Sequence, residues 1–132
     1  MIDFDKLKME ALASPKKRSR IILEPGFDMV ICLHRDSYIR YHRHPRYEAY
    51  HVMGGELEVE FESDKIPGEG TRFYMAQGGV WTLDNPVVCI PPMTWHEPRA
   101  RTEFVFYREF YCGPFDKARD VEYAPWAQKE AA

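Results

Sequence analysis

The sequence is short of several things, and each shortage narrows what the chain can be. Cysteine is scarce: Cys32, Cys89 and Cys112 are the only three in 132 residues, an odd number with no Cys-x-x-Cys spacing. Neither a disulfide framework nor a thiolate zinc site is encoded by that pattern. Each cysteine lies among apolar or aromatic neighbours and is expected to be a buried thiol in a reducing compartment. No apolar run approaches the roughly 20 residues that cross a bilayer as a helix. The opening Met-Ile-Asp-Phe-Asp-Lys-Leu-Lys puts acids where a secretory leader carries a basic start and an apolar run, so the cytoplasm is the expected location. A dominant charge is missing too. The formal net charge is -3 with the two signs interspersed, which gives no broad field to attract nucleic acid or an anionic membrane. The local exception is Lys16, Lys17, Arg18 and Arg20, a run short enough to read as a solvated stretch.

What is present is ample material for one packed core. Hydrophobic residues make up 45% of the chain and aromatics 14%, far from the composition of disordered segments. The length fits a single domain and leaves no room for two cores. A helix or arm is expected over about residues 1–17, a barrel over about 18–112 and a tail over about 113–132.

Phe4, Leu7, Ala11 and Leu12 recur at helical spacing after Asp3, a suitable cap, and Ser14-Pro15 ends the run. Beyond residue 18 the pattern changes to short apolar or alternating runs broken by Gly, Pro, Asn and Asp. They are 21–23, 29–33, 49–53, 57–61, 73–76, 80–83, 87–90 and 104–110. Many short strands at close spacing indicate an all-β sandwich or barrel. In Glu56–Glu62 the residues Leu57, Val59 and Phe61 alternate strictly with glutamates, so one face goes to the core and the glutamates to water. Residues 63–70 read as a loop, and Phe115, Tyr123 and Trp126 of the tail are expected to pack over the barrel or a partner subunit.

Three of the five histidines belong to one arrangement. His42 and His44, at i and i+2, project to one side of an extended strand, and Glu48 keeps the same parity. Tyr50 and Val52 continue it, so the inward face reads polar at one end and apolar further along. Two buried imidazoles beside a carboxylate are costly unless satisfied, and a divalent cation satisfies them. His51 has the opposite parity and His34 precedes the Arg35-Asp36 turn, so neither is expected to be a ligand.

The spacing His-x-His, three residues, Glu, six residues, Gly, met by His42, His44, Glu48 and Gly55, resembles the first motif of the cupin superfamily. Ile90-Pro91-Pro92-Met93-Thr94-Trp95-His96 resembles the second, Pro-x-Gly-x-x-His, with Met93 in place of the glycine. The glycines that open each motif are replaced by Asp36 and Asn85, which tolerate positive φ, and the trailing Asn of the second motif by Ala100. The resemblance covers residues 36–96 and implies an all-β double-stranded β-helix, a jelly-roll barrel behind a short N-terminal helix. It also implies His96 as a fourth ligand, joining His42, His44 and Glu48 on one divalent transition metal ion, iron, manganese, nickel or zinc.

Four protein ligands leave one or two positions on an octahedral ion for water, dioxygen or substrate. The expected function is therefore metal-dependent catalysis on a small polar or anionic organic molecule, with a dioxygenase slightly ahead of a lyase or isomerase. A non-catalytic binding or sensing cupin is the alternative. Arg40, on the inward parity, is a candidate to pair with a substrate carboxylate or phosphate. Tyr50 is a candidate proton donor or base, against the alternative of bonding Glu48 or filling space. Its place two residues after Glu48 is similar to that of the tyrosine of cupin dimethylsulfoniopropionate lyases. Arg43, Arg46, Arg99 and Arg101 read as rim or surface residues. A homodimer is expected, with no nucleic-acid or membrane partner.

Overall fold

The computed structural model describes residues 2–62, 70–76, 87–111, 113–114 and 116–125; at 61–62, 70–76 and 87–88 the description is of the backbone alone. Helix α1 (Phe4–Ala13) begins where Asp3 accepts a hydrogen bond from the Lys6 amide at 3.0 Å and ends at an extended Ser14. Leu7 and Ala11 are buried, whereas Phe4 and Leu12 keep much of their surface exposed. The apolar stripe thus goes in by its middle.

Among the described residues ten strands follow: β1 (Arg18–Glu24), β2 (Asp28–His34), β3 (His42–Arg43), β4 (Glu48–Gly54), β5 (Glu56–Glu62), β6 (Gly70–Ala76), β7 (Val87–Ile90), β8 (Trp95–Ala100), β9 (Phe104–Tyr111) and, after the short helix α2 (Lys117–Asp120), β10 (Glu122–Tyr123). They form two five-stranded sheets, ordered β1-β2-β9-β4-β7 and β10-β3-β8-β5-β6. Every described pairing is antiparallel. The expected all-β architecture is present, with one more helical turn than expected, capped by the Asp116 side chain on the Ala118 amide. No helix among the described residues is long and apolar enough to cross a membrane.

The main core lies between the sheets. Leu33, Tyr50, Val52, Ile90, Val105 and Tyr107 come from the first and Leu57 and Val59 from the second. Strand β5 sends Leu57 and Val59 inward and leaves Glu56 exposed, as its alternation predicts. On the outer face of the first sheet, Val30, Cys32 and Phe106 pack under Leu7 and Ala11 of α1. Inner and outer faces of β9 are therefore both covered, which is why Phe104–Tyr107 is apolar and aromatic at every position.

Strand β8 falls between the apolar runs 87–90 and 104–110 and carries Pro98 at its centre. Beyond the reach of two-residue β3, one edge of β8 has no described strand partner, and proline is tolerated on such an edge. Positive φ also falls elsewhere than expected: Met93 (φ 58) and Lys17 (φ 55) are the described non-glycine residues with it, and Asp36 is not one of them. Gly55 has φ 79, and a Cβ there would run into the Phe104 carbonyl oxygen, so this glycine is required by space as well as by φ. Cys32 is a buried thiol pushed up to about 11 by burial, but Cys89 is exposed, because it lies on the outward parity of β7 next to buried Ile90. The run 80–83, the loop 63–69, Asn85, Cys112, Phe115 and Trp126 lie outside the described residues.

Candidate metal centre

His42 opens β3, His44 follows it, Glu48 opens β4 and His96 is the second residue of β8. The β3–β8 ladder pairs His42 directly with His96, which brings the two separated motifs together across a sheet rather than through a loop. The ring centroids of His42 and His96 are 4.3 Å apart, and those of His44 and His96 are 5.2 Å apart. One ligand nitrogen from each of the three rings lies within 4.8 Å of the others.

All three rings are fixed in one tautomer by the same device. His42 Nδ1–H donates to the Arg40 carbonyl at 2.8 Å, His44 Nδ1–H to the Arg46 carbonyl at 3.0 Å, and His96 Nδ1–H to the Thr94 carbonyl at 2.8 Å. Each donor occupies Nδ1, so each Nε2 presents a lone pair, the form that binds a metal. His96 Nε2 is buried with no hydrogen-bond partner. Such an atom is destabilising in a protein interior unless a cation takes the lone pair.

Glu48 lies at the flank of this cluster. Its Oε2 touches His44 Nε2 and is 3.6 Å from His96 Nε2. Burial disfavours its charge, but contacts with Glu109, His44 and His96 outweigh burial and hold its carboxyl well below the usual range. Burial, then the electrostatic effect of the neighbouring His96 ring, pushes His42 down to about 3. A neutral imidazole beside an anionic carboxylate is the donor set a divalent transition metal ion takes. The residues present fit such an ion.

Glu109 is the residue the sequence reading missed. It pairs with Tyr50 across the β4–β9 ladder, is buried, and shares the inward parity of Val105, Tyr107 and Tyr111. Burial and the neighbouring Glu48 charge raise its carboxyl well above the usual range, so it stands as a neutral acid beside an ionised one. Burial, then the same two carboxylates, raises the Tyr50 phenol. The Tyr50 phenol therefore keeps its proton in this setting.

Beside His42 lies a cavity of about 340 Å³, with Tyr50, Tyr107, Glu109 and Tyr111 on its inner wall. The tail forms part of it: Val121 and Tyr123 line the cavity, and β10 pairs with β3 in the register Tyr123↔His42. Arg40 is turned to that tail, donating to the Ala124 carbonyl at 3.2 Å with its guanidinium 5.1 Å from the Tyr123 ring centroid. It is not among the residues lining the cavity. Arg43 holds the same segment, through both guanidinium arms on Glu122 and by stacking over Trp95. Arg46 donates to the Pro114 carbonyl at 2.9 Å, and Arg99 pairs with Glu97.

Antiparallel strands in two facing sheets, with ligand histidines meeting across a ladder, place this architecture among solved structures. Protein SO0799 from Shewanella oneidensis is similar with a TM-score of 0.62 at 17% identity, over 81% of this chain and 69% of that one. The capsular polysaccharide assembling protein CapF from Staphylococcus aureus is similar with a TM-score of 0.65 at 18% identity, over 80% and 28% of the two chains. Bacillus subtilis oxalate decarboxylase OxdC gives 0.59 at 14% identity, over 74% and 23%. The chain has the fold of the cupin superfamily. These cupin likenesses establish architecture, and the chain spans less than a third of CapF and of OxdC. No family model and no curated protein matches the sequence.

Proposed function

We propose that this cupin is a metal-dependent enzyme acting on a small polar or anionic organic molecule bound between the three-histidine centre and the adjoining cavity. The observation that carries the reading is the common tautomer: three Nδ1–H groups tied back to main-chain carbonyls, with their opposite nitrogens converging. One divalent ion, iron, manganese, nickel or zinc, would be held by His42, His44 and His96 with Glu48 at its flank, and would supply Lewis acidity or, as iron, oxygen chemistry.

The cavity wall favours proton transfer over oxygen chemistry within this reading. Tyr50, Tyr111 and Glu109 put two phenols and a neutral acid on one wall. That lining suits a lyase or isomerase, in which Tyr50 delivers a proton to the substrate and Glu109 hydrogen-bonds Glu48. Incubating manganese-loaded protein with small hydroxy and keto acids in deuterium oxide tests it. Deuterium incorporation into carbon, lowered by about 10²- to 10⁴-fold in Tyr50→Phe with metal content unchanged, is the expected result. Oxygen uptake by the iron form with no deuterium incorporation would favour the dioxygenase instead. A ligand bound and returned unchanged by every metal form would leave a sensing module.

A homodimer belongs to the same proposal. Strand β1 ends the first sheet and leaves Ile22 and Leu23 exposed, an edge that a second copy would cover. Light scattering showing only monomer at micromolar concentration would refute it.

A further inference from the structure

The short basic run that reads as solvated surface in the sequence divides between the end of α1 and a cavity wall. Lys17 turns away, its Nζ donating to the Leu12 carbonyl at 2.8 Å at the end of α1. Its neighbours Lys16, Arg18 and Arg20 all line the cavity beside the metal centre. The geometry of β1 explains this. Arg18 and Arg20 stand at i and i+2 and so share a face, and they pair with Leu33 and Ile31 of β2, of which Leu33 is core and Ile31 a cavity residue. Continuing across the sheet, Ile31 pairs with Tyr107 of β9. Arg18 also acts electrostatically on the Tyr107 phenol, across the same space. From the opposite direction the tail supplies Lys117, the first residue of α2.

The lining therefore carries four cationic side chains and one carboxylate, Glu109, which sits against Glu48 at the metal end. In a chain whose formal net charge is -3, such a concentration of one sign on one concave wall is a local departure from the whole. Concave walls focus a field onto whatever enters, and carboxylate or phosphate is what arginine and lysine bind. The volume of about 340 Å³ is that of a site for a small molecule.

We infer that Lys16, Arg18, Arg20 and Lys117 form a subsite for a second anionic group, so that the substrate is a small organic dianion, with one acidic group at the metal end and a carboxylate or phosphate at the basic wall. This deepens the reading above and rests on it for the position of the first group; the basic wall itself does not depend on the metal.

Isothermal titration of metal-free protein at low salt with matched probes tests it: succinate against succinamate, and phosphoglycolate against glycolate. At least one dianion is expected to bind about tenfold more tightly than its monoanionic counterpart, with the preference shrinking as salt rises. The Arg20→Gln/Lys117→Gln double variant should lose that preference while manganese affinity stays at the parent value. Arg20 is exposed, so Arg20→Gln alone serves as the variant least able to disturb folding. Equal affinity within both probe pairs, or a preference untouched in the double variant, would overturn the inference. Persistence of the preference in protein that fails to bind manganese would support the basic wall and remove the metal reading instead.

Discussion

The inner faces of the same strands differ from one end to the other. On β4 the inward residues run Glu48, Tyr50, Val52; on β9 they run Tyr111, Glu109, Tyr107, Val105; on β8 they run His96, Pro98, Ala100. The registers align these series, pairing Glu48 with Tyr111, Tyr50 with Glu109 and Val52 with Tyr107. One end is thus a packed apolar plug around Leu33, Leu57 and Val59. The other gathers three imidazoles, two carboxyls and two phenols beside the cavity. The plug contributes stability by burial, roughly 25 cal/mol per Å² of apolar surface. The polar end contributes little and contains an imidazole nitrogen with no partner. A fold held at one end is free to be functional at the other.

That contrast can be broken from either side. His96→Leu replaces the orphaned ring with an apolar group of similar bulk; metal affinity should fall by more than about 100-fold, while the metal-free protein stays within about 1 kcal/mol of the parent by urea denaturation. Leu57→Ala does the reverse. It should cost about 2–5 kcal/mol of stability through the cavity it leaves, with metal stoichiometry unchanged. If both variants lose stability equally and both lose metal, the two ends are not separable as described.

Glu109 sharpens the comparison at the boundary between the ends. Glu109→Ala removes the neutral acid beside Glu48 and should weaken metal binding by about 10- to 100-fold. Glu109→Gln retains a hydrogen-bond donor at the same place and should recover most of that loss. A glutamine variant no better than alanine would mean that the acid does not position Glu48.

The smallest expected effect lies in the turn that delivers His96. Met93 is held at φ 58, where a side chain is strained, and its amide donates to the His44 carbonyl at 2.8 Å. Met93→Gly relieves the strain at some cost in chain entropy and should raise the melting temperature, by a free energy of about 1 kcal/mol or less. A lower melting temperature would show that the methionine side chain, 44% exposed, contributes through contacts.

The sequence made the centre legible where parity and spacing were intact. Glu48, Tyr50 and Val52 face inward as alternation requires, and His96 meets His42 as the resemblance implies. It misled where a residue type carries a strong surface prior. Glu109 shares its parity with Val105 and Tyr107, but in a strand covered on both faces apolar alternation is absent, and nothing in the local text marks a glutamate as buried. Arg18 and Arg20 read as solvated because only the pairing of β1 with β2 shows which face they share. Arg40 carries the inward parity by counting from His42, yet residues 37–41 are not in a strand, so parity has no meaning there and the tail takes the side chain. Long-range pairing decides all three cases.

Calorimetric titration of metal-free protein with manganese or zinc tests the centre most directly. One equivalent should bind with submicromolar affinity, and binding should vanish when His42, His44 and His96 are replaced together by alanine in a protein that remains folded. Absence of binding by the parent protein, or binding that survives the triple replacement, would contradict the account.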